Sequence, residues 1–242
     1  MSRHRFFVAP DQPLAGETVL DGEEAHHLST VLRLGPGAAI ELLDGQGSVY
    51  QGEVLAASRR QVRVRLLEQR WQPPPARRLI LAPALLKKKG FDLVLQKATE
   101  LGVHALLPVL SHRCVAQAKD EVARWPRLVR EAAKQCGARY LPELLPPRPL
   151  ADLAVGRGLG LALHESAGED LAAFLARSAP PADLLCLVGP EGGWDPEDMG
   201  DIRAAGLVPV RLGPRILRAE TAALAAAAIL QLWLGNLDSG AV

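Results

Sequence analysis

Short apolar runs alternate with turn signals over the first 71 residues, a pattern typical of a small β domain. Residues 39–43 form an apolar run that leads into Asp44-Gly45-Gln46-Gly47, and an aspartate-glycine pair in this place favours a β-hairpin. A second strand is predicted over residues 49–56 and a third over residues 61–66, where apolar and polar side chains alternate with period two. One helix is predicted over residues 23–32. Together these elements predict a small β-barrel-like domain over residues 1–71.

The segment Trp71-Gln72-Pro73-Pro74-Pro75-Ala76 is the clearest domain boundary. Consecutive prolines lack backbone donors and have a fixed φ, so they continue neither a helix nor a central strand and instead form a semi-rigid spacer. We therefore predict a proline-rich linker over residues 72–77 and a second domain over residues 78–238.

Beyond this linker, apolar strand-like runs alternate with helix-like segments. Such an order predicts an α/β domain with a mainly parallel sheet whose faces are covered by helices. Asp195 followed by Pro196 marks one helix start, because aspartate caps a helix and proline suits its first position. The predicted strands cover residues 79–82, 105–109, 160–163, 184–188 and 208–212, and the predicted helices cover residues 89–101, 123–136, 170–177 and 196–205.

Two glycine-containing segments follow strand-like runs near the end of the chain. The first glycine turn is Val188-Gly189-Pro190-Glu191-Gly192-Gly193-Trp194, and the second is Leu212-Gly213-Pro214-Arg215-Ile216-Leu217-Arg218-Ala219-Glu220-Thr221-Ala222. A strand that ends in glycines leaves backbone N–H and C=O groups free and lets a ligand approach them closely. Two such turns in one α/β domain predict a small-molecule site built largely from backbone, with charged side chains beside it.

Composition is that of an ordinary folded protein, with 48% hydrophobic and 23% charged residues. The alanine-rich run over residues 222–230 is too short and too weakly apolar to cross a bilayer, so we expect a helix buried in the core or between subunits. No long apolar segment follows the basic first residues, which is unlike a signal peptide. Cys114, Cys136 and Cys186 are far apart and form no CxxC pair, which disfavours a disulfide framework or a zinc site. We expect a cytoplasmic protein.

The net charge of +1 conceals a strong segregation of charge along the chain. Residues 77–139 contain thirteen basic and five acidic side chains, whereas residues 140–242 contain seven basic and thirteen acidic ones. A segment with a charge of +8 suggests an anionic partner, and RNA or DNA is the natural candidate. Solvated helix faces are the alternative, and charge alone does not decide between them.

Familiar nucleotide and hydrolase signatures are missing from the sequence. The tract Gly156-Arg157-Gly158-Leu159-Gly160 has the wrong spacing for a dinucleotide fingerprint and precedes a strand, so we interpret it as a loop. Lys87-Lys88-Lys89-Gly90 lacks the glycine frame of a P-loop, and HExxH, GxSxG and EF-hand motifs do not occur.

Several segments carry a resemblance to a known family: Arg5-Phe6-Phe7, His27-Leu28-Ser29-Thr30-Val31-Leu32-Arg33, Leu95-Gln96-Lys97-Ala98-Thr99-Glu100-Leu101-Gly102-Val103, Glu131-Ala132-Ala133-Lys134-Gln135-Cys136-Gly137 and the two glycine turns. With these segments the chain resembles the RsmE family, bacterial 16S ribosomal RNA (uracil-N3)-methyltransferases of the SPOUT class. The similarity covers nearly the whole chain, in order. One departure lies after Gln135-Cys136-Gly137, where the family often has arginine and this chain has Ala138 followed by Arg139.

This resemblance implies a PUA-like β-barrel RNA-binding domain followed by an α/β SPOUT domain tied in a trefoil knot. It also implies S-adenosyl-L-methionine as methyl donor, a homodimer, and 16S rRNA of the small ribosomal subunit as partner, with no membrane and no metal. Two alternatives stay open: a SPOUT methyltransferase acting on another rRNA or tRNA position, and a non-catalytic RNA-binding assembly factor.

The family resemblance assigns the cofactor to the glycine turns and to the end of one earlier strand. Backbone groups and apolar walls would hold the nucleoside there, whereas tight turns and core packing are the alternative roles of the same residues. The predicted cofactor residues are Leu163, His164, Glu165, Val188, Gly189, Pro190, Gly192, Gly193, Leu212, Gly213, Ile216, Leu217, Arg218, Thr221 and Ala222.

Methylation at uracil N3 requires an unpaired base and the loss of the N3 proton. Arg218 is the candidate that orients the base or its phosphate, with an internal ion pair as its alternative role. Glu191 and Glu220 are the candidate bases.

A further set of cations is predicted to contact RNA. Arg3 and Arg5 flank the aromatic pair at the start of the chain, and an ordinary first strand is the alternative for that segment. The others, assigned to backbone phosphate or by position in the matching segments, are Arg33, Lys87, Lys88, Lys89, Arg113 and Arg139.

Overall fold

The structure, a computed structural model, describes residues 4–9, 16–114 and 121–237, without the side chain of Lys88. It divides into two compact units. The first unit contains Met1–Pro74 and Ala133–Leu141, and the second contains Pro75–Ala132 and Pro142–Val242. The α-helices of the described residues are α1 (Gly22–His26), α2 (Lys88–Glu100), α3 (Trp125–Cys136), α4 (Leu171–Arg177), α5 (Pro196–Ala204) and α6 (Ala219–Trp233).

The strands of the first unit are β1 (Arg5–Phe7), β2 (Glu17–Asp21), β3 (Ala39–Leu43), β4 (Ser48–Ala57) and β5 (Gln61–Trp71). They form one sheet in the order β1-β3-β4-β5-β2, in which only the β1–β3 pair is parallel. Alternate side chains such as Val62 and Val64 enter a core that also contains Phe6 and Leu28. The period-two pattern therefore identified the buried face of β5.

The predicted hairpin and the predicted helix of this unit are both confirmed. Between β3 and β4, the Asp44 carboxylate accepts hydrogen bonds from the backbone N–H groups of Gln46 and Ser48, at 2.7 and 2.9 Å. Gly47 has a φ of +107°, a value that favours glycine. The helix consists of α1 and a π-helical turn that follows directly at His27–Val31.

Arg5 connects β1 to the carboxyl end of α3 inside the first unit. Its Nε donates to Glu41 Oε2 at 3.0 Å, and its Nη1 donates to the carbonyls of Lys134 and Gln135, each at 3.0 Å. The Glu41 side chain is only 8% exposed. A cation at the carboxyl end of a helix donates hydrogen bonds to its last carbonyls and interacts favourably with the helix dipole. These contacts support the strand role of this segment, and RNA contact by Arg5 stays a prediction.

Arg5→Ala is expected to lower the free energy of unfolding by roughly 3 kcal/mol, because it removes a cation that is hydrogen-bonded to the buried Glu41 carboxylate. Urea denaturation followed by circular dichroism measures the change. Arg63→Ala is the matched control, since it breaks an ion pair with Glu17 whose side chains are 59% and 49% exposed, and it should cost below about 1 kcal/mol. Equal losses in the two variants would contradict this role for Arg5.

The strands of the second unit are mostly parallel, as predicted. They are β6 (Arg78–Pro83), β7 (Ala105–Leu106), β8 (Val109–Leu110), β9 (Glu143–Leu144), β10 (Arg148–Pro149), β11 (Leu159–Leu163), β12 (Asp183–Val188) and β13 (Val208–Val210). Six of them form a parallel sheet in the order β13-β11-β12-β6-β7-β9, and β8 pairs with β10.

Both faces of the central strands are buried. Along β12, Leu184 and Cys186 belong to one apolar cluster, whereas Leu185 and Leu187 belong to another. This explains the continuous apolar runs, which are typical of covered parallel strands. Complete burial also raises the pKa of the Cys186 thiol to about 12. Helices α2 and α6 pack against each other.

The α/β class with a mainly parallel sheet is confirmed, and the trefoil knot stays a prediction of the resemblance. The single strand predicted over residues 105–109 is wrong: β7 pairs with β6, whereas β8 pairs with β10. Pro108 lies between the two strands, where its missing donor favours an interruption. Among the described residues, no helix has both the length and the apolar character that a membrane span needs.

Candidate functional site

A cavity of about 570 Å³ lies at the carboxyl ends of three neighbouring strands in the second unit. Leu163 ends β11, Val188 ends β12, and Arg211 follows β13 directly. The first residues of α2 and α6 complete the wall. Crevices at the carboxyl ends of parallel strands are where open α/β sheets bind their ligands.

The first glycine turn is held in place by Trp194. The Trp194 indole N–H donates to the Leu163 carbonyl at 2.8 Å, and this side chain is buried. A Cβ on Gly189 would lie 3.0 Å from the Trp194 ring, so only glycine lets the ring approach this closely. Gly193 has a φ of +68°, and its N–H donates to the Pro190 carbonyl at 3.0 Å. The turn is therefore a rigid backbone wall of the cavity.

The second glycine turn uses glycine for its dihedral angle. Gly213 has a φ of +107°, and a Cβ there would meet no atom within 4 Å. The chain then passes Arg215 and Ile216 to Arg218, the N-cap residue of α6. Backbone groups and apolar side chains line the cavity, and the space beside Gly213 is open. The cavity therefore has room for a nucleoside-sized ligand.

Charged side chains of both signs line the cavity. Arg211 donates to Asp170 at 2.9 Å, and this hydrogen bond raises the pKa of Arg211 and lowers that of Asp170. Within the described residues, Arg218 has no carboxylate within ion-pair distance. The ion pair with Glu191 or Glu220, which was the alternative role for Arg218, is therefore not formed.

The two candidate bases have different surroundings. Glu191 is exposed, and its Oε1 accepts a hydrogen bond of 3.3 Å from the backbone N–H of Lys87, just before α2. Glu220 is half-buried in the first turn of α6, and its Oε2 lies 4.0 Å from the position of a Cβ on Gly90. Both line the cavity, so either carboxylate is placed to meet a ligand there.

The structure brings most of the predicted cofactor residues together around this cavity. Gly192 and Thr221 do not line it. Gly192 is exposed, and its carbonyl accepts a hydrogen bond of 2.8 Å from Arg113 Nη1. Thr221 is exposed on α6. The predicted residues that line the cavity are Leu163, His164, Glu165, Val188, Gly189, Pro190, Gly193, Leu212, Gly213, Ile216, Leu217, Arg218 and Ala222, with Glu191 and Glu220.

The predicted RNA contacts occupy several settings. Arg3 lies outside the described residues, and for Lys88 only the backbone in α2 is described. In the first unit, Arg33 is exposed with a φ of +54°, and Arg139 is half-buried. In the second unit, Lys87 lines the cavity and Lys89 is exposed.

Several cavity residues were missed by sequence reasoning. Trp194 and Arg215 stand inside the quoted glycine turns, so the signal was present but their side-chain roles were not inferred. Ala219 also stands inside the second glycine turn, and Arg211 directly precedes it, whereas Gly90 reaches the cavity only through the packing of a distant segment. Lys87 was assigned to RNA alone, although it also lines the cavity.

His112, Asp195 and Asp198 bring three potential metal-ligating atoms within 4.8 Å of one another. The two carboxylates already have structural partners. Asp195 accepts from the Asp198 N–H at 2.8 Å, and Asp198 accepts from the N–H groups of Asp195 and His112, each at 3.2 Å. The hydrogen bond from Asp198 is the main cause of the lowered pKa of Asp195. This cluster is explained as the capping box of α5, which confirms the predicted cap.

Comparison with known proteins identifies relatives of both units. The family model described as an RNA methyltransferase domain matches residues 72–231, and the one described as an RNA methyltransferase PUA domain matches residues 20–67. The predicted PUA-like domain is thereby confirmed.

Curated relatives share most of the chain. It is 34% identical to ribosomal RNA small subunit methyltransferase E of Mycobacterium bovis, covering 98% of this chain and 94% of the relative. It is 35% identical to the protein of the same name from Synechocystis, and the similarity covers 90% of this chain and 74% of that relative. A crystal structure of that enzyme from Neisseria gonorrhoeae bound to S-adenosyl methionine has a TM-score of 0.86 at 30% identity, covering 95% of this chain and 97% of that chain.

Proposed function

The chain belongs to the ribosomal RNA small subunit methyltransferase E family, whose members use S-adenosylmethionine, and we propose that it methylates N3 of one uridine in 16S rRNA. The carrying observation is the cavity between the two glycine turns, which offers a backbone wall, apolar side chains and both charge signs. A nucleoside with a cationic sulfonium and an amino-acid tail matches these features.

The residues around the cavity fit that cofactor. Pockets for small ligands are mostly apolar with a few convergent polar groups, and about 570 Å³ lies within their usual range. Leu163, Leu212 and Leu217 would pack against the adenine, and the turn at Gly193 would present backbone to the rest of the molecule. The bound cofactor supplies an activated methyl group, so the protein has to align the acceptor and exclude water.

The acceptor nitrogen carries a proton that must leave, and we assign its removal to Glu220. Glu191 is held by the Lys87 N–H near the start of α2, which suits a structural role. Glu220 lies half-buried in the first turn of α6, beside the exposed Arg218. A carboxylate that lines the cavity from this half-buried position is placed to take the proton of a base held beside it.

Glu220→Gln is expected to lower kcat by about 100-fold or more and to remove the fall in rate at acid pH, because the amide accepts no proton. The matched control, Glu191→Gln, should keep kcat within about tenfold of the parent value and should still show the fall in rate at acid pH. Single-turnover methylation measured across pH tests both variants. The reverse pattern would assign the proton transfer to Glu191, and equal profiles in both variants would exclude both carboxylates.

We also propose that the protein acts as a homodimer through the outer face of α6. Ile229 and Leu232 on α6 are 41% and 61% exposed, and Leu93 on the adjacent α2 is 37% exposed. Burying such a face between two copies would remove it from water. Sedimentation should give the mass of a dimer and, for Leu232→Asp, that of a monomer. A monomeric parent chain would contradict the proposal.

The target is tested by mass mapping of 16S rRNA from a strain lacking this gene, with and without its restoration. One uridine should lose a methyl group in the deletion strain and regain it with the gene. Methylation restored at a base other than uracil, or in tRNA, would replace the proposed target. If the purified protein also gives no heat with S-adenosylmethionine in calorimetry, a non-catalytic assembly factor becomes the better assignment.

A further inference from the structure

Ile216 is unusually exposed for a residue at the edge of a binding cavity. It lines the cavity, yet it is 87% exposed, more than any other large apolar side chain among the described residues. The next most exposed, Trp71, is at 62%. An isolated exposed apolar side chain is common, but one that stands on the rim of a ligand cavity is positioned to contact what enters or covers it.

The backbone of the second glycine turn presents Arg215 together with Ile216. Gly213, with its positive φ, and Pro214 redirect the chain after β13, so neither residue belongs to a helix or a strand. We refer to Arg215 and Ile216 as the tip. Arg215 is also exposed, and within the described residues it has no carboxylate at ion-pair distance.

All charged residues in the sequence segment that contains the tip are basic. Residues 211–218 contain three arginines and no acidic residue. Arg211 is held by Asp170, whereas Arg215 and Arg218 are exposed and carry no such partner in the described part of the chain. Two unneutralised guanidinium groups and an apolar side chain on one short loop suit a nucleic acid strand, which offers both phosphates and base faces. A contact with a second copy of the chain would instead favour a loop without net charge, because like charges repel each other across such an interface.

From these observations we propose that the tip binds the RNA strand beside the target uridine. Arg215 contacts a backbone phosphate, and Ile216 packs against the face of the extruded base or its neighbour. The proposal rests on the proposed function for the identity of the RNA. It separates two roles within one loop, because Arg218 acts on the reacting base whereas the tip provides affinity for the strand. Flipped bases are held by apolar and aromatic side chains in this way.

The test is equilibrium binding to small ribosomal subunits from the deletion strain and to their extracted 16S rRNA, over a range of potassium chloride concentrations. Arg215→Ala is expected to weaken binding about tenfold at low salt and to reduce the slope of log K against log salt by about one, the loss of one phosphate contact. Arg203→Ala is the matched control, since Arg203 is exposed on α5 and does not line the cavity. It should leave the slope unchanged.

Ile216→Ala is expected to weaken RNA binding about threefold to tenfold without changing the salt slope, because it removes an apolar contact and no charge. Ile216→Leu should restore most of the affinity. The family resemblance assigns Ile216 to the cofactor, but its 87% exposure leaves most of the side chain outside the apolar wall of the cavity. For all variants the Kd of S-adenosylmethionine in calorimetry should therefore stay within about twofold of the parent value, about 0.4 kcal/mol.

Three results would overturn the proposal. Equal salt slopes for the Arg215→Ala and Arg203→Ala proteins would remove the phosphate contact. A parallel loss of cofactor affinity would assign the tip to the cofactor pocket, and dissociation of a dimer by Ile216→Asp with unchanged RNA affinity would assign it to a second copy. Because these measurements report binding, a protein that binds RNA through the tip but methylates nothing would refute only the proposed function.

Discussion

Replacement of Gly193 by valine is expected to raise the Kd of S-adenosylmethionine by about 100-fold or more, a loss of roughly 2.7 kcal/mol. Gly193 lines the cavity with a φ of +68°, a region that is costly for a β-branched residue. A Cβ at this position would point toward Glu165, whose Oε1 is 3.8 Å away. The added side chain therefore takes space beside the turn and shifts its backbone. Isothermal titration calorimetry measures the change.

Gly206→Val separates this effect from general strain. Gly206 follows α5, has a φ of +78°, and has no atom within 4 Å of its Cβ position. Both variants should lose similar thermal stability, and only the Gly193→Val protein should lose cofactor binding. Retention of full affinity by that protein would remove the first glycine turn from the cofactor site.

The second large effect is expected for Arg218→Ala, which should lower kcat about 100- to 1,000-fold while the Kd of S-adenosylmethionine changes less than about threefold. Arg218 is exposed at the N-cap of α6, beside Glu220, and the described residues offer it no ion-pair partner. Its guanidinium is therefore available for the negative charge that appears on uracil when the N3 proton leaves. A positioned donor for such charge contributes in the transition state more than in the ground state.

Arg218→Lys and Arg203→Ala complete this experiment. Lysine keeps the charge but not the planar fork, so part of the loss in kcat should remain. Arg203→Ala should show the parental kcat, because that side chain lies outside the cavity. Full turnover by the Arg218→Ala protein would end the proposed role of Arg218, and equal losses in kcat and cofactor affinity would move the residue into the cofactor site.

Local signals in the sequence were sufficient for most elements. The Asp44 turn and the Asp195 cap are formed by side chains that bind backbone groups within four residues, so sequence spacing alone identifies them. Strands buried on both faces, such as β12, produce continuous apolar runs that are easily recognised. The glycine turns were also found from local sequence, because Gly193 and Gly213 have positive φ values that glycine adopts readily.

Contacts between distant segments were not accessible in this way. Nothing near Trp194 indicates that its indole binds the carbonyl of Leu163, 31 residues earlier, and nothing near Arg5 indicates a partner 129 residues away. Arginine at an N-terminal strand looks the same whether it binds RNA or a helix end. The three arginines of residues 211–218 were visible in the sequence, but the pairing of Arg211 with Asp170, which distinguishes Arg211 from Arg215, depends on tertiary packing.

The inclusion of Ala133–Leu141 in the first unit affects how this protein can be made. A nascent chain must be translated as far as residue 141 before its N-terminal module has every part, including the carbonyls that bind Arg5 and the Tyr140 hydroxyl that donates to Gln72. A gene fragment cut at the prolines would encode a truncated module. Separate expression of the two halves would require a circular permutation or a linker that carries residues 133–141 with the first 74.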